Sequence, residues 1–206
     1  MPKVLMLNGS PHREGCTYTA LAEAASVLSR EGVDSEIVWV GTVPVASCTA
    51  CGFCAKNGRC VFDDAVNDFV ARARTVDGFL FGSPVHYAGP SGAITAFLGR
   101  AFYSGSSAFA NKPGAVVASC RRGGATATFQ QLSMYLNRMI TVPTQYWGIV
   151  HGNSPAEVRQ DAEGMQTMRT LGANMAYLIR ALDCAKNAGI VPPTPEMRVA
   201  TNFIRG

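Results

Sequence analysis

Lys3-Val4-Leu5-Met6-Leu7-Asn8-Gly9-Ser10-Pro11-His12-Arg13-Glu14-Gly15-Cys16-Thr17 is the stretch on which the reading of the fold turns. Its first six residues form a short, unbroken apolar run, the pattern of a strand covered on both faces. Gly9 and Pro11 break that run. From Thr17 to Glu31 the pattern becomes helical, with Leu21, Ala25 and Leu28 on one face and Gly32 as the stop.

Working outward, the alternation repeats. Ser35 to Val40, Asp77 to Phe81, Gly114 to Ser119 and Tyr146 to Val150 (opened by Pro143) read as further strands. Between them, Ile94, Phe97, Leu98, Ala101 and Phe102 mark one helix, and Phe129, Leu132, Leu136 and Met139 another. A long helix is expected over residues 157–185, with Met168, Leu171, Met175, Leu178 and Leu182 inward. Strands alternating with helices predict an α/β fold with right-handed crossovers. Five strands fit a flavodoxin-like, doubly wound parallel sheet of order 2-1-3-4-5 with helices on both faces. In such sheets ligands sit outside the carboxyl ends of the strands, at the switch point.

Composition narrows the function. Of 206 residues, 48% are hydrophobic and 16% charged, so the chain can bury a core and is not a disordered segment. Lys and Arg number 18 against 14 Asp and Glu, and only Arg121 and Arg122 are adjacent basic residues. No basic stripe is present to track nucleic acid or anionic lipid. No apolar run reaches the roughly 18 residues of a membrane span. The first eight residues are too short for a signal peptide, so a cytoplasmic location is expected. Seven cysteines, an odd number, do not read as a secreted disulfide framework.

Three loops fall on one edge of this sheet. Residues 9–17 follow the first strand and open a helix, whose free N–H groups and partial positive charge suit a phosphate. Ser10 and Thr17 offer hydroxyls, Arg13 a charge, and Cys16 and Thr17 their backbone N–H groups. The plainer reading is a loop with Thr17 as helix cap. Residues 82–89 follow the third strand and residues 119–124 the fourth; their small residues let backbone approach a flat ligand. A phosphate loop beside a platform for a planar ring is what flavin mononucleotide (FMN) needs. His86 and Tyr87 either touch the ring or substrate, or are a solvent-facing histidine and a packing tyrosine. His12 and His151 read as surface or structural, and Asp63-Asp64 as the cap of the next helix.

Leu7-Asn8-Gly9-Ser10-Pro11, Gly15-Cys16-Thr17, Gly82-Ser83-Pro84-Val85 and Phe97-Leu98-Gly99-Arg100 resemble the NADPH-dependent FMN reductases and iron–sulfur flavoproteins, of the flavodoxin-like superfamily. The resemblance runs from Lys3 to Leu182 and touches Thr201-Asn202-Phe203-Ile204-Arg205. It implies FMN with its phosphate on Ser10, Arg13, Cys16 and Thr17. The ring would rest on Pro84, Val85, His86, Tyr87, Ala88 and Gly89, and on Ser119, Cys120, Arg121, Gly123 and Gly124. Cys16 stands where the family commonly has Asn or Ser, and His12-Arg13 where Arg-Lys is frequent. Residues 1–189 are then one FMN-binding domain with a cysteine-rich insertion at 44–62, followed by a C-terminal arm at 190–206.

Cys48, Cys51, Cys54 and Cys60 form the motif C-x2-C-x2-C-x5-C, and four thiolates so spaced can close on one metal centre. A bacterial ferredoxin run has a gap of three before a Cys-Pro. Here the gap is five and Val61 follows, which fits a self-contained [4Fe–4S] site. Zinc, which favours two separated pairs, and a metal-free or thiol-redox loop compete with it. The compact spacing matches the iron–sulfur flavoproteins. Cys16, Cys120 and Cys184 read as isolated thiols.

The chemistry then belongs to the flavin, with no general base or nucleophilic side chain required. Electrons would arrive singly through a cluster or as hydride from NAD(P)H. The nicotinamide is implied by resemblance alone, because no dinucleotide fingerprint is visible. Donor and acceptor would be small molecules or a ferredoxin-type protein. A one-electron flavodoxin carrier and a non-catalytic subunit clipped by zinc are the alternatives. The first expects a strongly acidic surface, and the net charge of +4 speaks against it. A homodimer or homotetramer is expected, with the arm over a neighbour.

Overall fold

The computed structural model of the chain describes residues 1–197 and 199. The elements are β1 (Lys3–Asn8), α1 (Cys16–Arg30), β2 (Asp34–Trp39), α2 (Phe53–Asn57), α3 (Ala65–Ala73), β3 (Gly78–His86) and β4 (Gly89–Pro90). They continue with α4 (Gly92–Gly105), β5 (Pro113–Cys120), α5 (Ala125–Ser133), β6 (Ile140–Thr141), β7 (Ile149–His151), α6 (Pro155–Gln160) and α7 (Ala162–Asn187). Residues 190–197 are exposed and lack regular structure. The rest of the expected C-terminal arm, including Thr201–Arg205, lies outside the described residues, apart from Val199.

The period-2 direction of strand side chains divides the core into two layers. Val4 and Met6 of β1, Leu80 of β3, and Ala115 and Val117 of β5 face α1 and α7, where Leu21, Leu28, Met168, Leu171 and Met175 cover them. Leu5 and Leu7, Phe79 and Phe81, and Val116 face α3 and α4, against Phe69, Phe97, Leu98 and Phe109. The aromatic layer is tightly built, with Phe102 and Phe109 stacked at 4.3 Å and Phe69 edge-on to Phe97 at 5.3 Å. Truncating one such buried ring to alanine costs about 3–5 kcal/mol.

The strands run β2-β1-β3-β5 in parallel, as the five-strand order requires. Among the described residues the sheet has seven strands, because the expected fifth position is divided in two and β4 adds an antiparallel strand beside β3. β6 pairs with Pro113 and Gly114 at one end of β5, and β7 pairs with Ala118 to Cys120 at the other. Between them the chain bows away, leaving a cavity of about 400 Å³ lined by Val116, Phe129, Leu136 and Trp147. Pro143, with no N–H to give the ladder, sits in that bow. The expected strand over Tyr146–Val150 is therefore only Ile149–His151.

The long terminal helix is also broken. Asp161 leaves the helical region (φ −73°, ψ 85°), and its carboxylate accepts from the N–H of Gly164 at 2.9 Å, starting α7 afresh. The other carboxylate oxygen accepts from the N–H of His151 at 2.7 Å, pinning the end of β7. Among the described residues no helix is long and apolar enough to cross a membrane.

Candidate functional site

The loop after β1 is built by side chains from its own ends. Asn8 Oδ1 accepts from the N–H of Ser10 at 3.1 Å, and its Nδ2 donates to the Arg13 carbonyl at 3.0 Å, folding residues 9–13 into a curl. Trp39 Nε1 donates to the Ser10 carbonyl at 2.7 Å, and Ser10 Oγ accepts from the N–H of His12 at 3.1 Å. Gly9 joins this curl to the sheet: its N–H bonds the Gly82 carbonyl at 2.8 Å and its carbonyl accepts from Ser91 Oγ at 2.6 Å. A Cβ on Gly9 would lie 2.5 Å from Ile94 Cβ, so only glycine fits.

α1 then begins at Cys16 behind Gly15, with no side-chain cap and no acidic residue in its first turn. Thr17, expected as cap or phosphate ligand through its hydroxyl, is the second helical residue. The residue is fully buried and its Oγ1 is bonded to Ser119 Oγ at 2.8 Å, so the hydroxyl is turned inward. Cys16 donates its thiol to the Gly152 carbonyl at 3.7 Å, and burial pushes that thiol upward in pKa. Arg13 is exposed, its guanidinium 6.0 Å from the Trp39 ring centroid.

The second loop is a hairpin. β3 turns antiparallel into β4 through Tyr87 and Ala88, with His86 opposite Gly89 and Val85 opposite Pro90. Both turn residues are left-handed (φ +50° and +63°), which non-glycine residues adopt at a cost of about 1–2 kcal/mol each. The Tyr87 side chain is fully exposed, and His86 and Ala88 are exposed; Tyr87 does not pack against the described residues. The third loop abuts this hairpin: Gly124 (φ +87°) leaves no room for a Cβ, which would come within 2.7 Å of Ala88 Cα. Ser119 and Cys120 are buried at the end of β5, while Arg121 and Gly123 are exposed. A cleft of about 340 Å³ between the first two loops is lined by Gly9, Pro11, His86 and Ser91, and by Thr42 to Val45.

The cysteines meet elsewhere, at the far end of α4. Cys48, Cys51, Cys54 and Cys60 line one cavity of about 240 Å³ with Phe62, Arg100 and Tyr103. Asn67 clamps Cys60 by accepting its N–H at 2.9 Å and donating to its carbonyl at 3.1 Å. The N–H of Phe53 holds the Cys51 thiol below its ordinary pKa. Asp64 caps α3 through the Val66 N–H, as the sequence suggests, and also pairs with Arg100 at 2.7 Å. Burial alone would raise the Asp64 pKa, but Arg100 and that N–H more than offset it.

A family model for NADPH-dependent FMN reductases matches residues 2–154. The chain belongs to the NADPH-dependent FMN reductase family. It is 30% identical over 191 residues to an iron–sulfur flavoprotein of Methanocaldococcus jannaschii, covering 87% of this chain and 98% of that one. An iron–sulfur flavoprotein of Methanosarcina thermophila is 30% identical over 173 residues, covering 81% and 89%. Among solved structures, RosB with bound 8-demethyl-8-formylriboflavin-5'-phosphate superposes with a TM-score of 0.69 at 18% identity, over 98% of this chain and 93% of that one. A flavodoxin from the domain Archaea gives 0.59 at 12%, over 86% and 99%. These two likenesses speak for the fold.

As a member of this FMN reductase family, the chain binds FMN and is a flavin-dependent oxidoreductase. Its residues fit that group: α1 opens uncapped, and a glycine whose Cβ position is occupied leads into it. Sequence reasoning missed Asn8, Trp39 and Ser91 as the residues that shape the loop, and Thr42 to Val45 as a wall. Asn8 was findable, since Asn before Gly-Ser-Pro at a strand end favours local side-chain bonds to backbone. Trp39 and Ser91 act across the sheet and leave no local signal.

Proposed function

We propose that FMN binds at the carboxyl edge of β1, β3 and β5, and that a [4Fe–4S] cluster held by Cys48, Cys51, Cys54 and Cys60 exchanges electrons with it. The observation that carries this reading is that all four cysteines line one cavity. A single tetrahedral ion with bonds of about 2.3 Å needs sulfurs only about 3.8 Å apart. Among the described residues no group of three or more His, Cys, Asp or Glu draws together to hold one ion. Four cysteines spread around about 240 Å³ suit a multi-atom cluster better than zinc. The iron–sulfur flavoproteins among the relatives support the same choice.

The phosphate would lie at the start of α1, met by the N–H groups of Cys16 and Thr17, by Ser10 Oγ and by Arg13 turned from Trp39. The ring would rest against Pro84, Val85, His86, Tyr87, Ala88 and Gly89 on one side and Ser119, Cys120, Gly123 and Gly124 on another. Arg121 would stand near its rim to favour negative charge. When bound, FMN takes up a hydride or single electrons and passes them on. The protein's part is to orient the ring and keep its rim supplied with donors. NAD(P)H would be the donor, a reading the family description supports, and the partners would be small molecules or a ferredoxin-type protein. A reducing cytoplasm, where thiols stay free, suits the four open cysteines. Two or four copies would assemble, placing the exposed Tyr87 against a neighbour.

Serine in place of each cysteine, one at a time, tests the cluster. Each variant is expected to lower iron per chain while FMN remains bound. Iron unchanged in all four would assign the metal elsewhere, and zinc in the native protein would restore the clip reading. For the phosphate, Arg13→Ala is expected to weaken FMN binding by about 1.5–3 kcal/mol in a fluorescence titration. An unchanged Kd would place the phosphate away from the α1 loop.

A further inference from the structure

Arg100 is the bulkiest of the fully buried side chains, and its place in the sequence, on an apolar helix, gives it no reason to be charged. Its five N–H donors nearly all have partners. Nη1 and Nη2 donate to the two oxygens of Asp64 at 2.7 and 2.8 Å, and Nη2 also to the Phe62 carbonyl at 3.3 Å. The guanidinium lies over the Phe62 ring at 4.8 Å. The remaining direction, Nε–H, points at Cys60 Sγ at 3.2 Å. Holding Asp64 requires only the two outer nitrogens; the bond to sulfur is additional. It is directed at the one cysteine whose backbone is also clamped on both sides, by Asn67.

We propose that Arg100 is the positioning residue of the cysteine site and sets its reduction potential, by placing a buried cation and a directed N–H on the Cys60 sulfur. The inference rests on the cluster reading above. Hydrogen bonds to cluster sulfurs and the local charge both govern such potentials. Reduction adds an electron to an already anionic assembly, so a cation with its N–H on one sulfur favours the reduced form more than the oxidised one. Asp64 works against this through its own charge, at the cap of α3.

The test is an anaerobic redox titration of the flavin- and iron-loaded protein, with iron and FMN content measured on each sample. In Arg100→Gln the reduction equilibrium should fall about tenfold or more, which is about 59 mV downward for a one-electron couple. Arg100→Lys, which keeps the cation and loses the planar fork, should fall less. Asp64→Asn should move the potential the other way. Iron retained with an unmoved potential in Arg100→Gln overturns the proposal. So does a shift of Arg100→Gln and Asp64→Asn in the same direction, or loss of iron from both Arg100 variants with FMN kept, because each would make the role structural. Native protein that carries FMN but no iron is a different result: it refutes the cluster itself, and this inference with it.

Discussion

Gly9 shows how much can hang on one missing carbon. Its N–H and carbonyl tie the first loop to β3 and to Ser91, and Ile94 fills the space of its absent Cβ. Gly9→Ala is expected to lower stability by about 1–3 kcal/mol through overpacking. It should also weaken FMN binding, because the loop moves with it; a denaturant melt with unchanged midpoint would contradict this. Asp64 gives a pH dependence with a definite sign. Its carboxyl is held below its ordinary value by Arg100 and the Val66 N–H, against the opposing effect of burial. Its stabilisation is therefore complete above the unfolded value of about 3.9 and is lost as pH falls through the lower folded value. Proteolysis of residues 60–66 should accelerate only below about pH 4; acceleration near neutrality would show another group in control. At this scale the sequence shows Ser10, Thr17 and the four cysteines plainly. It does not show that the Thr17 hydroxyl turns inward to Ser119, since that depends on a residue 102 positions away.

Among the elements, α4 joins the two sites. Its cap Ser91 holds Gly9, and Arg100, nine residues on, meets Cys60 and Asp64. At 1.5 Å per residue that is about 14 Å of rigid helix between the loop after β1 and the cysteine cavity. The apolar stripe of α4 is legible in the sequence, and so are β1, β3 and β5 as buried runs. The divided fifth position is not, because Tyr146–Val150 has strand composition throughout and the bow that interrupts it is a matter of pairing with β5. The break at Asp161 had a local signal, an Asp three residues before Gly164, but the apolar period continues across it and masks the cap. The β3–β4 hairpin carries the clearest strain. Ala88→Gly, which relieves a positive φ, is expected to stabilise the protein by about 1 kcal/mol. A thermal midpoint that fails to rise would mean the turn is not the left-handed pair described.

Across the molecule, a two-layer core leaves one sheet edge free for loops, and residues 44–62 bring the four cysteines to the same helix whose cap holds the first loop. The order of strands, the helices on both faces and the location of the loops all follow from alternation of buried runs and helical stripes. The convergence of the cysteines on one cavity could be suspected from spacing, whereas its lining by Phe62 and Arg100, the latter paired with Asp64, could not, since it is assembled from α4 and the chain before α3. The central claim is that FMN and an iron–sulfur cluster share this chain. The most direct test is the visible spectrum of anaerobically purified protein, with iron and acid-labile sulfide assayed on the same sample. The account predicts flavin bands over a broad iron–sulfur absorption, with about four irons per chain. Flavin bands without iron or sulfide would contradict it.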